Sequence, residues 1–149
     1  LLIAAGKTGK AVNIKKGQFV SAEMMQFAVD KVLSTNNKNI LLTERGTMFG
    51  YNDLIVDFRN IPLMKQTGFP VVFDATHSVQ QPNKSDGISG GKPEYIETLA
   101  KCAIIANANG IFLETHPNPC NALSDGANML ALSEVKGLLE KLIKVKNSL

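Results

Sequence analysis

Side chains able to bind anions, hold metals or move protons stand at the ends of four hydrophobic runs in this chain. Val71-Val72-Phe73-Asp74-Ala75-Thr76-His77 ends in a carboxylate, a hydroxyl and an imidazole. Ala11-Val12-Asn13-Ile14-Lys15-Lys16-Gly17 ends in two lysines, Ile40-Leu41-Leu42-Thr43-Glu44-Arg45-Gly46 in an acid and an arginine, and Ile111-Phe112-Leu113-Glu114-Thr115-His116-Pro117 in an acid and a second imidazole. In parallel sheets the carboxyl ends of the strands face the ligand crevice, so a polar tip on an apolar strand marks a candidate site. Lys15 and Arg45 suit a ligand carrying both phosphate and carboxylate, the guanidinium by planar bidentate contact and the ammonium as a point charge. His77, Glu114 and Asp125 supply N and O donors for a divalent cation with a position left open for water or substrate. Taken singly, each tip can equally be a satisfied turn.

The elements that must position these residues repeat. A short strand over 11–16 is followed by a helix that Ser21 caps, with Met24, Met25, Ala28, Val29, Val32 and Leu33 at helical spacing and Asn36-Asn37 at its end. The strand over 40–46 is followed by a less regular crossover in which Pro62 takes a first helical position. Behind the strand over 71–77 comes a polar stretch from Ser78 to Lys92, long enough to be a functional loop. Glu94 to Asn107 forms the next helix, Asn109-Gly110 ends it, and the fourth strand runs from Ile111 to Pro117. Asn118 to Ala131 reads as loop. Ser133 caps a last helix with Val135, Leu138, Leu139, Leu142 and Ile143 inward.

From Lys16 to Arg45, His77 and Glu114 the tips are 29, 32 and 37 residues apart, which are βαβ lengths. The chain therefore reads as α/β, four consecutive βα units forming half of a (β/α)8 barrel, since a complete barrel takes about 250 residues. A small open doubly wound sheet is the alternative. Alternation along the strands places Lys15, Asn13, Arg45, Thr43, His77, Ala75, Phe73, Glu114, Phe112 and His116 on the barrel's interior, with Lys16 and Asp74 outward.

Composition narrows the function classes. With 149 residues, 44% hydrophobic and 19% charged, the chain has the make-up of a globular domain and excludes global disorder. Its net charge of +3 is scattered, without the basic blocks that nucleic-acid binding calls for. The opening Leu1-Leu2-Ile3-Ala4-Ala5-Gly6 lacks the basic region and the length of a signal peptide or membrane span, and reads as the tail of a helix. Cys102 and Cys120 have no metal-ligand spacing and read as free thiols of a reducing cytoplasm.

Four segments then resemble the 3-deoxy-D-manno-octulosonate 8-phosphate synthase (Kdo-8-phosphate synthase) family. They are Asn13-Ile14-Lys15-Lys16-Gly17-Gln18-Phe19, Thr43-Glu44-Arg45-Gly46 with Phe49-Gly50-Tyr51-Asn52-Asp53, Asp74-Ala75-Thr76-His77-Ser78-Val79-Gln80, and Glu114-Thr115-His116-Pro117 with Ala122-Leu123-Ser124-Asp125-Gly126. The resemblance spans the chain and implies a cytoplasmic homotetrameric barrel, of which residues 1–149 form one partial domain, strands five to eight, without the N-terminal half. It implies a transferase of lipopolysaccharide biosynthesis that condenses phosphoenolpyruvate with D-arabinose 5-phosphate and water, releasing phosphate. Lys15, Arg45, Gln18 and Asn52 would contact substrate, with Lys15 and His77 catalytic. His77, Glu114 and Asp125 would be the ligands of one divalent ion of the Zn, Fe or Mn type in the metal-dependent class, completed by a cysteine on the first strand of the barrel. Metal-independent members keep the same three residues, so the class stays open; Ala127 and Met129 match the usual residues of neither. No organic cofactor, nucleic acid or membrane is implied.

The implied mechanism adds water at C2 of phosphoenolpyruvate while C3 attacks the sugar aldehyde, and the tetrahedral intermediate loses phosphate by C–O cleavage. Positioning and charge stabilisation are the protein's share. The loop from Ser78 to Lys92 is expected to close over the sugar. Two alternatives stand beside this reading: the sister synthase that uses erythrose 4-phosphate to make 3-deoxy-D-arabino-heptulosonate 7-phosphate, and a non-catalytic phosphosugar-binding fragment. The isolated chain is expected to be inactive, with open strand edges at 11–16 and 110–116 that favour association.

Overall fold

Residues 1–82 and 89–149 are described by the structure, a computed structural model. In chain order the elements are α1 (Leu2–Gly6), β1 (Val12–Lys15), α2 (Met25–Leu33), β2 (Ile40–Glu44), α3 (Asn60–Lys65), β3 (Val71–Asp74), β4 (Gln80–Gln81), β5 (Gly90–Gly91), α4 (Ile96–Ile105), β6 (Gly110–Phe112), β7 (Thr115–His116), β8 (Leu130–Ala131) and α5 (Leu132–Asn147). β1, β2, β3 and β6 form one parallel sheet in that spatial order. Each new strand joins the same edge, so the order never reverses. Doubly wound sheets bind at such a reversal, and among the described residues this sheet has none.

Register fixes which side chains share a face. Lys15 stands opposite Thr43, Thr43 opposite Val72, Val72 opposite Gly110, and Asp74 opposite Phe112. That face carries the polar tips. The other carries Val12, Ile14, Ile40, Leu42, Val71 and Phe73, which form one core with Met25, Val29 and Val32 of α2, Ile61 and Met64 of α3, Ile96, Ala100 and Ala103 of α4, and Leu138 and Leu142 of α5. Each fully buried aliphatic or aromatic side chain in this layer contributes roughly 1.5–3 kcal/mol. Phe73 packs on Phe58 with ring centroids 5.6 Å apart.

Strand ends and helix starts depart from the sequence expectations in instructive ways. The third strand stops at Asp74 rather than His77, and the alternation predicted beyond it does not apply. Phe73 and Ala75, expected inside, are both fully buried in the helix-facing core, whereas Asp74, expected outside, lies on the tip-bearing face. The fourth strand ends at Phe112, and the polar stretch beyond it forms the separate parallel pair β7–β8, Thr115 opposite Leu130. Ser133 caps nothing, since α5 starts at Leu132 without a side-chain cap; Leu139 and Ile143 on this helix are 44% and 58% exposed. Ser21 precedes a turn rather than the helix itself, its Oγ accepting from the Met24 N–H at 3.4 Å.

A buried lysine stitches the first two tips together. Lys16 Nζ donates to the carbonyl oxygens of Gly46 (3.1 Å), Gly17 (3.3 Å) and Val20 (3.3 Å) and to Thr47 Oγ1 (3.0 Å), and lies 3.6 Å from Glu44. Its partner Glu44 accepts from the backbone N–H groups of Arg45 (3.0 Å) and Gly46 (2.6 Å) through Oε1. The loop behind Arg45 is thereby fixed. Gly46 takes φ +88°, a left-handed turn that a side chain would strain, and an added Cβ would press on Leu54 at 3.2 Å.

Candidate active site

Two hydrogen-bonded chains of side chains cross the tip-bearing face and meet. In the first, Lys15 Nζ lies 2.6 Å from Asp74 Oδ2 and 4.6 Å from the centroid of the Phe112 ring. Asp74 Oδ2 also faces His77 Nδ1 at 2.8 Å, and its Oδ1 accepts from the His77 backbone N–H (2.9 Å) and Thr76 Oγ1 (3.1 Å). The carboxylate has no exposed surface. Burial alone would raise its pKa; donation from His77 and Lys15 outweighs this and brings it from 3.8 down to about 2. His77 opens a short 3-10 turn, which turns the imidazole toward the face that strand alternation had assigned it for another reason.

In the second chain, Arg45 Nη2 donates to Gln80 Oε1 at 3.0 Å and Gln80 Nε2 donates to Asp125 Oδ1 at 2.9 Å. Arg45 is 7% exposed, and among the described residues its Nη1 has no hydrogen-bond partner although it is buried. Burial lowers the guanidinium's pKa, opposed by the charges of Asp74, Glu44 and Asp125. A buried donor without an acceptor is costly, which leaves Nη1 open to an acceptor from outside the described residues. Asp125 adopts φ +53°, a conformation that Asp tolerates better than most side chains. The adjoining Gly126 leaves no room for a Cβ against the Pro119 carbonyl.

The chains converge at His77, Glu114 and Asp125, each offering one ligand atom within 4.8 Å of the others. His77 Nε2 stands 3.1 Å from Glu114 Oε2, yet that oxygen is buried without a hydrogen-bond partner among the described residues. An orphaned carboxylate oxygen beside a ring nitrogen and a second carboxylate is a donor set that fits a divalent cation. Neither cysteine belongs to the group. Backbone ties hold it: Glu114 N donates to Thr76 Oγ1 (3.1 Å), Leu130 N to the Glu114 carbonyl (3.1 Å), Asn128 N to the Asp125 carbonyl (3.0 Å), and fully buried Asn128 Nδ2 to the Thr76 carbonyl (3.4 Å).

Sequence comparison matches residues 1–149 to the family described as the DAHP synthetase I family. The chain belongs to that family. Within it, a 2-dehydro-3-deoxyphosphooctonate aldolase of Citrifermentans bemidjiense is 52% identical over 142 residues, 95% of this chain and 52% of the relative. One of Koribacter versatilis is 51% identical over 151 residues, covering 99% and 54%. A crystal structure titled phospho-2-dehydro-3-deoxyheptonate aldolase (DAHP synthase) from Thermotoga maritima superposes with TM-score 0.87 at 28% identity, over 99% of this chain and 41% of the other. The chain thus spans about half the length of the curated relatives it matches.

Against this family frame, the structure brings Lys15, Arg45, His77, Glu114 and Asp125 onto one rim. Gln18 and Asn52 make no side-chain hydrogen bond among the described residues; Gln18 is half-buried, its backbone carbonyl accepting from Met48 N at 3.0 Å, and Asn52 is exposed. Two connecting residues escaped the sequence reading. Asp74 was set aside on strand alternation, and Gln80, though part of a quoted segment, has no charge to draw attention. The loop expected to close over a sugar is described at its base, where β4 and β5 pair antiparallel and Asp53 accepts from Lys92 and Gln81, both at 2.7 Å. Its tip, 83–88, lies outside the described residues.

Proposed function

We propose that this chain is one partial domain, strands five to eight of a (β/α)8 barrel, of a synthase that condenses phosphoenolpyruvate with D-arabinose 5-phosphate and water. The products are 3-deoxy-D-manno-octulosonate 8-phosphate and phosphate. The observation that carries the reading is the meeting of the Lys15–Asp74–His77 and Arg45–Gln80–Asp125 chains at one donor cluster. Sequential strand order and relatives at about half coverage support the barrel assignment. A homotetramer in the cytoplasm belongs to the same reading. Among the described residues no helix is long and apolar enough to cross a membrane.

Lys15 and the unpartnered Arg45 Nη1 would hold the phosphate and carboxylate of phosphoenolpyruvate, placing C2 and C3 at the rim. His77, Glu114 and Asp125 would hold a divalent ion, which when bound would polarise an oxygen ligand and lower the pKa of water. Without an ion, His77 Nε2 would instead be free to orient the water that attacks C2. Lys15 and Arg45 would neutralise charge as phosphate leaves. The sister reaction with erythrose 4-phosphate is the second reading, favoured by the Thermotoga maritima superposition; the 52% identical relatives favour the eight-carbon product. Phosphate release from phosphoenolpyruvate by the full-length protein tests the proposal. It should require an aldose phosphate and fall at least tenfold in kcat/KM in Arg45→Ala; release without an aldose, or an indifferent variant, would contradict it.

A further inference from the structure

We propose that Asp74 is a positioning residue that fixes both reactive side chains of the rim, setting the tautomer of His77 and the place of the Lys15 ammonium with one buried carboxylate. The tautomer follows from counting hydrogens. Lys15 Nζ lies 2.6 Å from Oδ2 and, as a protonated amine, can only donate, so Oδ2 carries no proton. Oδ1 accepts from the His77 backbone N–H at 2.9 Å, which leaves no proton there either. His77 Nδ1, 2.8 Å from Oδ2, must therefore be the N–H bearing nitrogen. Nε2 also faces a carboxylate oxygen, Glu114 Oε2, but at 3.1 Å and without hydrogen-bond geometry, so in the neutral ring the single hydrogen goes to the 2.8 Å contact at Nδ1 and the lone pair to Nε2.

The same oxygen holds the Lys15 ammonium over the Phe112 ring, which also lies 6.1 Å from the His77 ring. Asp74 thus couples the cation proposed to hold substrate to the imidazole proposed to face water. Asparagine cannot replace it. All four partners of the carboxylate are donors, so an amide NH2 at either oxygen position faces another donor: Lys15 and Nδ1 on one side, Thr76 and the backbone N–H on the other. Only one half of the network survives, and with the amide toward His77 the ring flips to the Nε2–H form.

The role of Asp74 in reactivity rests on the proposed reaction, whereas the tautomer does not, and the test uses no substrate. Ring-nitrogen NMR of the full-length protein in chelator, at a pH where the imidazole is neutral, reads the tautomer directly, with His77→Gln assigning the signals. The expected result is Nδ1–H in the wild type and a populated Nε2–H form in Asp74→Asn, with Mn2+ affinity lower by about 10–100-fold. An Nε2–H wild type overturns the proposal even if the variant fails to fold. An unchanged tautomer in folded Asp74→Asn overturns it as well.

Discussion

At Asp74 a single carboxylate with no exposed surface gathers four donors, and its depressed pKa has a consequence for stability. A carboxylate whose folded pKa is about 2 against 3.8 ordinarily contributes stability above the unfolded pKa that is lost as pH falls through the folded one. Acid titration from pH 5 to pH 1 should therefore cost the full-length protein about 2 kcal/mol through this group. Denaturant midpoints against pH check it: the slope below pH 4 should shrink in Asp74→Asn. Arg45 and Gln80 make the companion case. Arg45→Lys keeps the charge but loses the fork that spans Gln80 and an anion, and should raise KM for phosphoenolpyruvate tenfold or more while kcat changes less. Gln80→Leu should weaken divalent-ion binding by removing the donor to Asp125, which a Mn2+ titration would show. The types and spacing of Lys15, Arg45, His77 and Glu114 were legible in the sequence because charged groups on apolar runs stand out, whereas Asp125, in a loop, was legible only as an oxygen donor and through the family resemblance. Gln80 was not, because a neutral amide gains meaning only from the two partners that the fold brings to it.

Among the elements, β3 shows where sequence logic failed and why. Alternation holds only while the backbone is extended, and β3 ends at Asp74 before a turn and a 3-10 segment reorient His77. Counting back in twos from the imidazole therefore put Phe73 and Asp74 on each other's faces. The order of βα units needed no such extrapolation and was readable from the tip spacing. Phe73→Ala tests the buried placement: as a fully buried core residue against Phe58, it should destabilise by about 3–5 kcal/mol in urea unfolding. In the loop behind β2, Gly46→Ala should strain the left-handed turn and displace Arg45, lowering kcat/KM with a smaller loss of stability.

For the molecule as a whole, the sheet has two unpaired edges among the described residues, at β1 and β6. The proposed barrel would cover both. Expressed alone, the 149-residue chain should form heterogeneous aggregates in size-exclusion chromatography and release no phosphate, whereas the full-length protein should elute as one discrete oligomer and release it. Coverage of about half of each relative agrees with an arrangement in which partner side chains come from elsewhere in the protein. The measurement that bears most directly on the central claim is the ratio of kcat/KM for arabinose 5-phosphate and erythrose 4-phosphate in phosphate release by the full-length protein. The proposed octulosonate synthase predicts a strong preference for the five-carbon sugar; a preference for the four-carbon sugar, or no release with either, would contradict it.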